Sequence, residues 1–224
     1  MKSVYINNHG SRNVLIYGEL PENTPKPTEV KVKIRSCSLN RLDIFTRMGI
    51  KGIKLDFTKP HILGGDFAGE IIEVGHQVTD KKIGDRIVVN PGLICLKCEN
   101  CIQGLTELCS NSGRIGLTKN GGYAEFGIVP SINTYHIPKS ISFPEASTLP
   151  TVFLTAWTML TRKSQLKDYE TVLIISGSSG VGSAAIQIAK NVIGAKVITT
   201  TSTKEKALKA KTLGADYVIL NEKN

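Results

Sequence analysis

The pattern of apolar and polar positions changes character near residue 140. Before that point, short runs of alternating apolar residues are separated by glycine and proline, a pattern typical of antiparallel β-strands. These runs predict strands at residues 14–18, 30–34, 69–74, 86–89, 123–129 and 135–137. One helix is expected at residues 41–48. The first part of the chain is therefore predicted to be largely β.

From residue 143 onward, strands alternate with helices. A helical stretch interrupted at Pro150 leads to strands at residues 171–175, 196–200 and 217–220. This alternation indicates parallel βαβ units and a doubly wound sheet. Helical spacing also predicts the buried face of the helix after the first strand. That face comprises Val181, Ala184, Ala185, Ile188, Ala189 and Val192.

The two patterns predict two domains, residues 1–142 and 143–224, with a cysteine-rich lobe at residues 92–112. The second domain has three predicted strands, whereas a complete dinucleotide-binding sheet has about six. At about 30 residues per βαβ unit, roughly 90 further residues would complete it. We therefore expect a C-terminally incomplete sequence in which strand 171–175 is an exposed sheet edge. A complete protein is the alternative.

Composition is that of an ordinary globular protein, with 41% hydrophobic and 21% charged residues among 224. No run approaches the roughly 18 apolar residues of a membrane helix, and the start MKSVYINNHG has no apolar signal core. Four of the five cysteines are clustered, which favours the reducing cytoplasm. The net charge of +9 comes from scattered lysines that do not interleave with aromatic residues. We therefore expect a cytoplasmic protein without a membrane or nucleic-acid partner.

Four cysteines form the most specific motif of the chain. Cys95, Cys98, Cys101 and Cys109 follow the spacing C-x2-C-x2-C-x7-C. Two short gaps and one longer gap allow four thiolates to converge on one tetrahedral Zn²⁺. Because four sulfurs leave no open coordination position, the predicted zinc is structural. Four buried or disulfide-bonded cysteines are the alternative.

A glycine-rich turn follows strand 171–175 and reads G-x-x-G-x-G. Its residues are Gly177, Ser178, Ser179, Gly180, Val181 and Gly182. Backbone N–H groups at such a turn, together with the positive end of the following helix, bind a pyrophosphate. Glycines in an ordinary tight turn are the alternative. The strand before, the periodic helix after and the second βα unit favour a dinucleotide site.

The second strand of this region ends in hydroxyl side chains rather than in a carboxylate. NAD sites usually place Asp or Glu here, where it binds the ribose 2′-hydroxyl. This chain instead has Thr200 and Ser202, followed by Lys204 and Lys206, which suit a 2′-phosphate. The sequence therefore predicts NADPH rather than NADH. Alternatively, Ser202 and Glu205 form a helix capping box and the lysines lie on a solvated helix face.

Five ordered segments resemble the medium-chain dehydrogenase/reductases, the alcohol dehydrogenase superfamily. They are residues 64–69 with Val74-Gly75, Gly84-Asp85-Arg86, the cysteine lobe, residues 149–159 around Thr155, and SGSSGVGSAAIQIAK. The resemblance covers essentially the whole chain. It implies a GroES-like β domain with a structural zinc lobe, joined to a Rossmann domain that binds a nicotinamide cofactor, with Thr155 among the cofactor-binding residues. It also implies an oxidoreductase that forms a homo-oligomer at full length.

Three positions depart from the zinc alcohol dehydrogenases. Those enzymes hold a catalytic metal through the Cys of C-x-x-D, the His of GHE and a later Cys, where this chain has Asn40, Gly65 and Thr151. No catalytic zinc is therefore expected. The pattern N-x-x-D with GGD resembles the quinone oxidoreductase and enoyl reductase branch, which implies that Asn40 and Asp43 are catalytic. An Asp43 that is only an N-terminal helix residue, favoured by the helix dipole, is the alternative.

Without a zinc-bound alkoxide, hydride transfer from NADPH needs an acceptor that is already electrophilic. We therefore expect reduction of a quinone or an α,β-unsaturated carbonyl. An enoyl-thioester reductase on the same fold is the second candidate. A non-catalytic NADP-sensing or RNA-binding protein and an inactive truncated product are the remaining alternatives. His61 and Cys37 are expected to be structural residues.

Overall fold

The computed structural model describes residues 1–50 and 52–221 and divides into two compact units, Met1–Pro150 and Thr151–Asn224. The first unit holds the β-rich part of the chain, and the second holds the alternating strands and helices. The domain boundary expected between residues 142 and 143 stays a prediction. Among the described residues, no helix is long and apolar enough to span a membrane.

The first unit contains ten strands and three helices within the described residues. The strands are β1 (Lys2–Ile6), β2 (Ile16–Glu19), β3 (Glu29–Cys37), β4 (His61–Ile62), β5 (Phe67–Val74), β6 (Arg86–Val89), β7 (Gly92–Leu93), β8 (Gly113–Arg114), β9 (Phe126–Pro130) and β10 (Thr134–His136). The helices are α1 (Arg41–Met48), α2 (Glu99–Ile102) and α3 (Phe143–Ser147).

An antiparallel sheet in the order β10-β6-β5-β3-β9 forms the centre of the first unit. Alternate residues of these strands point to one face and bury an apolar cluster. Its members include Val30, Val32, Phe67, Ile71, Ile87 and Val129, all fully buried. Two smaller sheets, β2-β1-β4 and β7-β8, complete the unit. The predicted all-β character is therefore confirmed.

Two predicted strands of the first unit begin later than expected. Residues Arg12–Val14 form a 3₁₀ turn, so β2 starts at Ile16 rather than at residue 14. Strand β9 starts at Phe126 rather than at residue 123, because Tyr123 pairs its backbone N–H with Leu63 in a connecting loop. Apolar alternation extends into these turns and does not mark where pairing begins.

The second unit is a parallel sheet with helices. Its strands are β11 (Thr171–Ile174), β12 (Lys196–Thr201) and β13 (Tyr217–Leu220), and its helices are α4 (Pro150–Trp157), α5 (Gly180–Gln187) and α6 (Lys204–Thr212). The sheet order is β11-β12-β13, and both pairings are parallel, which confirms the predicted βαβ units. Within the described residues β11 is an edge strand, and Leu173 is 56% exposed.

The buried face predicted for α5 is correct for four of its residues and wrong for Val192. Ala184, Ala185, Ile188 and Ala189 are buried, Val181 is partly buried against the same core, and Val192 is 63% exposed. The chain continues from Ile188 to Ile193 as a wider π-helical turn. Because such a turn departs from the 3.6-residue period, it rotates Val192 away from the core.

Candidate functional site

The four clustered cysteines converge at one point of the first unit. Their Sγ atoms all lie within 4.8 Å of one another. The Cys95–Cys101 and Cys98–Cys109 sulfur pairs are each 4.0 Å apart, which is too long for a disulfide bond of about 2.05 Å. Tetrahedral zinc with bonds of about 2.3 Å holds its sulfurs about 3.8 Å apart. The geometry therefore fits a zinc ion and not the disulfide alternative.

Local backbone geometry prepares these cysteines for a metal. Leu96 has a φ of 60°, a left-handed conformation that tightens the turn between Cys95 and Cys98. The backbone N–H groups of Cys101 and Ser110 lower the pKa of Cys98 to about 6. Burial raises the pKa of Cys101 to about 12. A zinc ion would bind all four as thiolates, because coordination deprotonates a thiol outright.

A second polar cluster surrounds the start of α1. Asp43 is 8% exposed, and its Oδ2 accepts hydrogen bonds from the Asn40 backbone N–H at 2.7 Å and from the Tyr123 hydroxyl at 2.9 Å. Burial raises the pKa of Asp43, while these donors, together with the Gly64 backbone N–H, oppose that rise. Asp43 thus forms the capping box of α1 with Asn40. Asp43 therefore lies in the first turn of α1, as its structural alternative expects, and its catalytic role stays a prediction.

The Asn40 side chain is bonded to a different carboxylate. Its Nδ2 donates to Oδ2 of Asp66, which is 1% exposed, at 3.0 Å. Next to Asp66, a Cβ added at Gly65 would lie 3.1 Å from the Ile115 carbonyl oxygen, so a larger side chain would displace backbone. Sequence reasoning singled out Asn40 and Asp43 but missed Asp66 and Tyr123. Asp66 was visible in the GGD motif, whereas Tyr123 is 80 residues from Asp43 and carries no local signal.

The glycine-rich turn of the second unit has the expected shape. Ser179 caps α5, and its hydroxyl accepts the Gly182 backbone N–H at 3.0 Å. A Cβ at Gly177 would lie 2.2 Å from Oγ1 of Thr199, and one at Gly182 would lie 2.3 Å from the Ser176 carbonyl oxygen. Only glycine therefore allows the turn to close against the sheet.

The end of β12 differs from the capping-box alternative. The cap of α6 is Thr203, whose hydroxyl accepts the Lys206 backbone N–H at 3.3 Å, so Ser202 is not the capping residue. The Ser202 hydroxyl instead accepts a hydrogen bond from Nζ of Lys206 at 3.1 Å. Thr200 holds the glycine-rich turn, because its Oγ1 accepts the Ser176 backbone N–H at 3.0 Å. Ser202 and Lys206 thus form an exposed pair beside the turn.

Three further residues have plain structural environments. Thr155 donates its hydroxyl to the Thr151 carbonyl oxygen one turn earlier in α4, at 2.6 Å, and its predicted cofactor contact stays a prediction. His61 is buried, and its Nε2 lies 3.2 Å from the Gly116 carbonyl oxygen. Burial raises the pKa of Cys37 to about 12, so its thiol is protonated and unreactive at neutral pH.

Two family models match the chain. The alcohol dehydrogenase GroES-like domain matches residues 26–139, about half of the 224 residues, and the zinc-binding dehydrogenase domain matches residues 180–224. The chain belongs to the alcohol dehydrogenase superfamily. Membership confirms the expected fold class, a GroES-like domain joined to a Rossmann-type domain.

Individual members of the superfamily are similar over most of this chain. An NAD-dependent alcohol dehydrogenase of Sulfurisphaera tokodaii is 34% identical over 90% of the chain, which spans 59% of that relative's length. The crystal structure of an NAD-dependent alcohol dehydrogenase superposes with a TM-score of 0.92 at 39% identity, covering 99% of this chain and 64% of that one. A quinone oxidoreductase structure from Pseudomonas syringae pv. Tomato DC3000 gives 0.80 at 32% identity, covering 97% and 58%.

Proposed function

We propose that this chain belongs to an NADPH-dependent oxidoreductase that reduces a quinone or an α,β-unsaturated carbonyl without a catalytic zinc. The observation that carries the proposal is the Asn40–Asp66 hydrogen bond of 3.0 Å. By the resemblance, Asn40 would provide an amide, rather than a thiolate, at the first metal-ligand position of the zinc alcohol dehydrogenases. Gly65 supplies no imidazole, and the nearby Ile115 carbonyl leaves little room for one. The similarity to a quinone oxidoreductase supports the same substrate class.

Zinc is proposed only at Cys95, Cys98, Cys101 and Cys109, whose sulfurs fit a closed tetrahedral shell. A closed shell offers no position to a substrate, so this metal would hold the loop between β7 and β8. Removing it would cost folding free energy rather than a chemical step.

The nicotinamide cofactor is proposed to bind the second unit. Gly177, Gly180, Val181 and Gly182 would present backbone N–H groups to its pyrophosphate, with Ser178 and Ser179 at the same turn. Ser202 and Lys206 would bind the 2′-phosphate, because a hydroxyl and an ammonium group favour an anion. When bound, the cofactor supplies the hydride.

The chain's own residues would orient the acceptor and complete its reduction. Asp66 fixes the orientation of the Asn40 amide, because its Oδ2 accepts from the Nδ2 side. Because the Asp66 bond fixes the orientation of this amide, the other N–H of Nδ2 would be free to donate to the carbonyl oxygen of the acceptor. Asp43 would act on Asn40 through the backbone and not on the substrate. The proton that the reduced acceptor needs would come from water.

NAD-dependent alcohol oxidation is the second candidate, since the similar relatives include enzymes of that name. It requires a second zinc and a preference for NADH. The proposed protein is cytoplasmic, has no membrane or nucleic-acid partner, and forms a homo-oligomer at full length. We place its domain boundary between residues 142 and 143.

The test combines zinc content, cofactor binding and turnover of the purified chain and of any longer natural form. The proposal expects one zinc per chain, tighter binding of NADPH than of NADH, and oxidation of NADPH by quinones or enones. Two zincs per chain, with alcohol oxidation by NAD, would establish the second candidate instead. NADPH binding without turnover of any acceptor would indicate a cofactor-sensing protein.

A further inference from the structure

An open cavity of about 380 Å³ lies in the first unit. It is formed by the loop before β3, by β3 and β9, and by the turn at residues 119–121. None of its lining residues belongs to the cysteine cluster or to the Asn40 cluster. Its volume falls within the range of about 300–1,000 Å³ that small-molecule sites occupy.

Apolar and aromatic side chains form one wall of the cavity. Phe126, Ile62 and Ile128 line it, and Ile62 is almost fully buried. Asn120 also lines the cavity, and its side-chain oxygen is held by the Ile62 backbone N–H at 3.0 Å. The Lys31 ammonium lies 5.2 Å from the centroid of the Phe126 ring, so this wall combines apolar side chains with polar groups.

Cations outnumber carboxylates in the cavity lining. Lys26, Lys31 and Lys119 line it, but Glu29 is the one carboxylate among the lining residues that the structure describes. Lys31 forms ion pairs with two carboxylates, Glu22 and Glu73, each 2.9 Å from its Nζ. Neither of those carboxylates lines the cavity.

The two remaining lysines meet at Glu29. Nζ of Lys119 contacts Oε1 of Glu29 at 2.6 Å, while Oε2 accepts the Lys26 backbone N–H at 3.1 Å. Within residues 1–50 and 52–221, no hydrogen bond or ion pair engages the Lys26 ammonium. Its charge helps to lower the pKa of Glu29 against the opposing effect of burial, so this ammonium lies near the carboxylate. One buried carboxylate thus faces two lysines, so ammonium groups outnumber carboxylates among the residues that line the cavity.

We propose that this cavity binds a small organic anion, a carboxylate or phosphate monoester carried on a flat apolar body. The anionic group would take the donors of Lys26 and Lys119, and the body would pack against Phe126 and Ile62. A neutral ligand of the same shape would receive no charge-assisted hydrogen bond from these lysines and would bind more weakly. The proposal is independent of the cofactor and of the reaction proposed above.

The test uses the ¹⁵N-labelled chain titrated with benzoate, phenyl phosphate and the neutral analogue benzyl alcohol. We expect either anion to shift the backbone amides of Gly121 and Gly127, which line the cavity, in a saturable manner. Stronger binding of benzoate would identify a carboxylate ligand, and stronger binding of phenyl phosphate a phosphate monoester. Saturable binding of benzyl alcohol with equal affinity, or no saturable shift with any probe, would overturn the proposal.

Matched variants locate the site. Lys26→Met should weaken binding of the better anion about tenfold, because one charge-assisted hydrogen bond is lost. The double variant Lys119→Met with Glu29→Gln removes the second ammonium without leaving a buried carboxylate unpaired, and should weaken binding similarly. Lys139→Met, an exposed lysine outside the lining, is the control and should leave the affinity unchanged. Equal affinities in all three variants would place the anion elsewhere and overturn the proposal.

Discussion

The Tyr123 hydroxyl donates a hydrogen bond of 2.9 Å to Oδ2 of Asp43, across 80 residues of chain. The same oxygen accepts the Asn40 backbone N–H that closes the start of α1. This contact therefore joins the loop before β9 to helix α1, whose N-cap residue is Asn40. It also determines how the carboxylate tolerates burial, because each donor favours its ionised form.

Replacing Tyr123 by phenylalanine should destabilise the chain by about 1–3 kcal/mol at neutral pH, because a buried carboxylate loses one donor. Burial already raises the pKa of Asp43, so the folded state holds this proton to a higher pH than the unfolded state does. Stability at this group therefore falls as pH rises from the ordinary carboxyl range through the raised pKa. Losing the hydroxyl raises that pKa further, so the deficit of the variant should grow with pH.

Urea unfolding of the wild type and Tyr123→Phe across mildly acidic to neutral pH measures this deficit. Tyr135→Phe is the control. Because Tyr135 is 55% exposed, this variant should have the same stability as the wild type. A deficit that stays constant or shrinks as pH rises would show that the hydroxyl does not stabilise the ionised form of Asp43.

Much of the fold follows from local sequence, and the exceptions have physical causes. The bounds of α1, β6 and β13 agree with the expected ones, and in β6 alternate residues are buried as the apolar pattern requires. The burial predicted for Val192 was wrong, because the π-helical turn that contains it departs from the 3.6-residue helical period. The cap of α6 was misplaced by one residue, because Ser202 and Thr203 both satisfy capping chemistry. Tyr123 was missed because its partner is distant in sequence.

Zinc should bind the cysteine cluster and no other cysteine. Substituting Cys101 by serine should release the metal, whereas the wild type and Cys37→Ser should each retain one zinc per chain by elemental analysis. When free zinc exceeds its dissociation constant about a thousandfold, binding contributes about 4 kcal/mol, so Cys101→Ser should unfold at a lower temperature. Zinc retained in full by Cys101→Ser would place the metal elsewhere.

The Ser202–Lys206 pair should determine which cofactor binds. Lys206→Ala removes the ammonium proposed to meet the 2′-phosphate, so NADPH affinity should fall about tenfold while NADH affinity stays unchanged. Ser202→Asp should go further and reverse the preference, because a carboxylate repels the phosphate and accepts from a ribose hydroxyl. Fluorescence titration with both cofactors measures this.

Lys211→Ala is the matched control for the cofactor titration, since Lys211 is exposed near the other end of α6. Equal losses for NADPH and NADH in Lys206→Ala would mean that this lysine supports the fold or the pyrophosphate rather than the 2′-phosphate.

Alanine substitutions at two glycines of the glycine-rich turn, residues 177–182, should have different effects. A Cβ at Gly182 would lie 2.3 Å from the Ser176 carbonyl oxygen, which is backbone and cannot move without opening the turn. A Cβ at Gly180 would meet a side-chain atom of Val152 at 2.9 Å, which a rotamer change relieves. Gly182→Ala should therefore cost about 2 kcal/mol or more and abolish NADPH binding, while Gly180→Ala should cost less than half as much. Urea unfolding gives the stability and fluorescence titration the affinity. Similar losses in both variants would mean that the turn yields as a whole, and that close packing of Gly182 against Ser176 is not what shapes it.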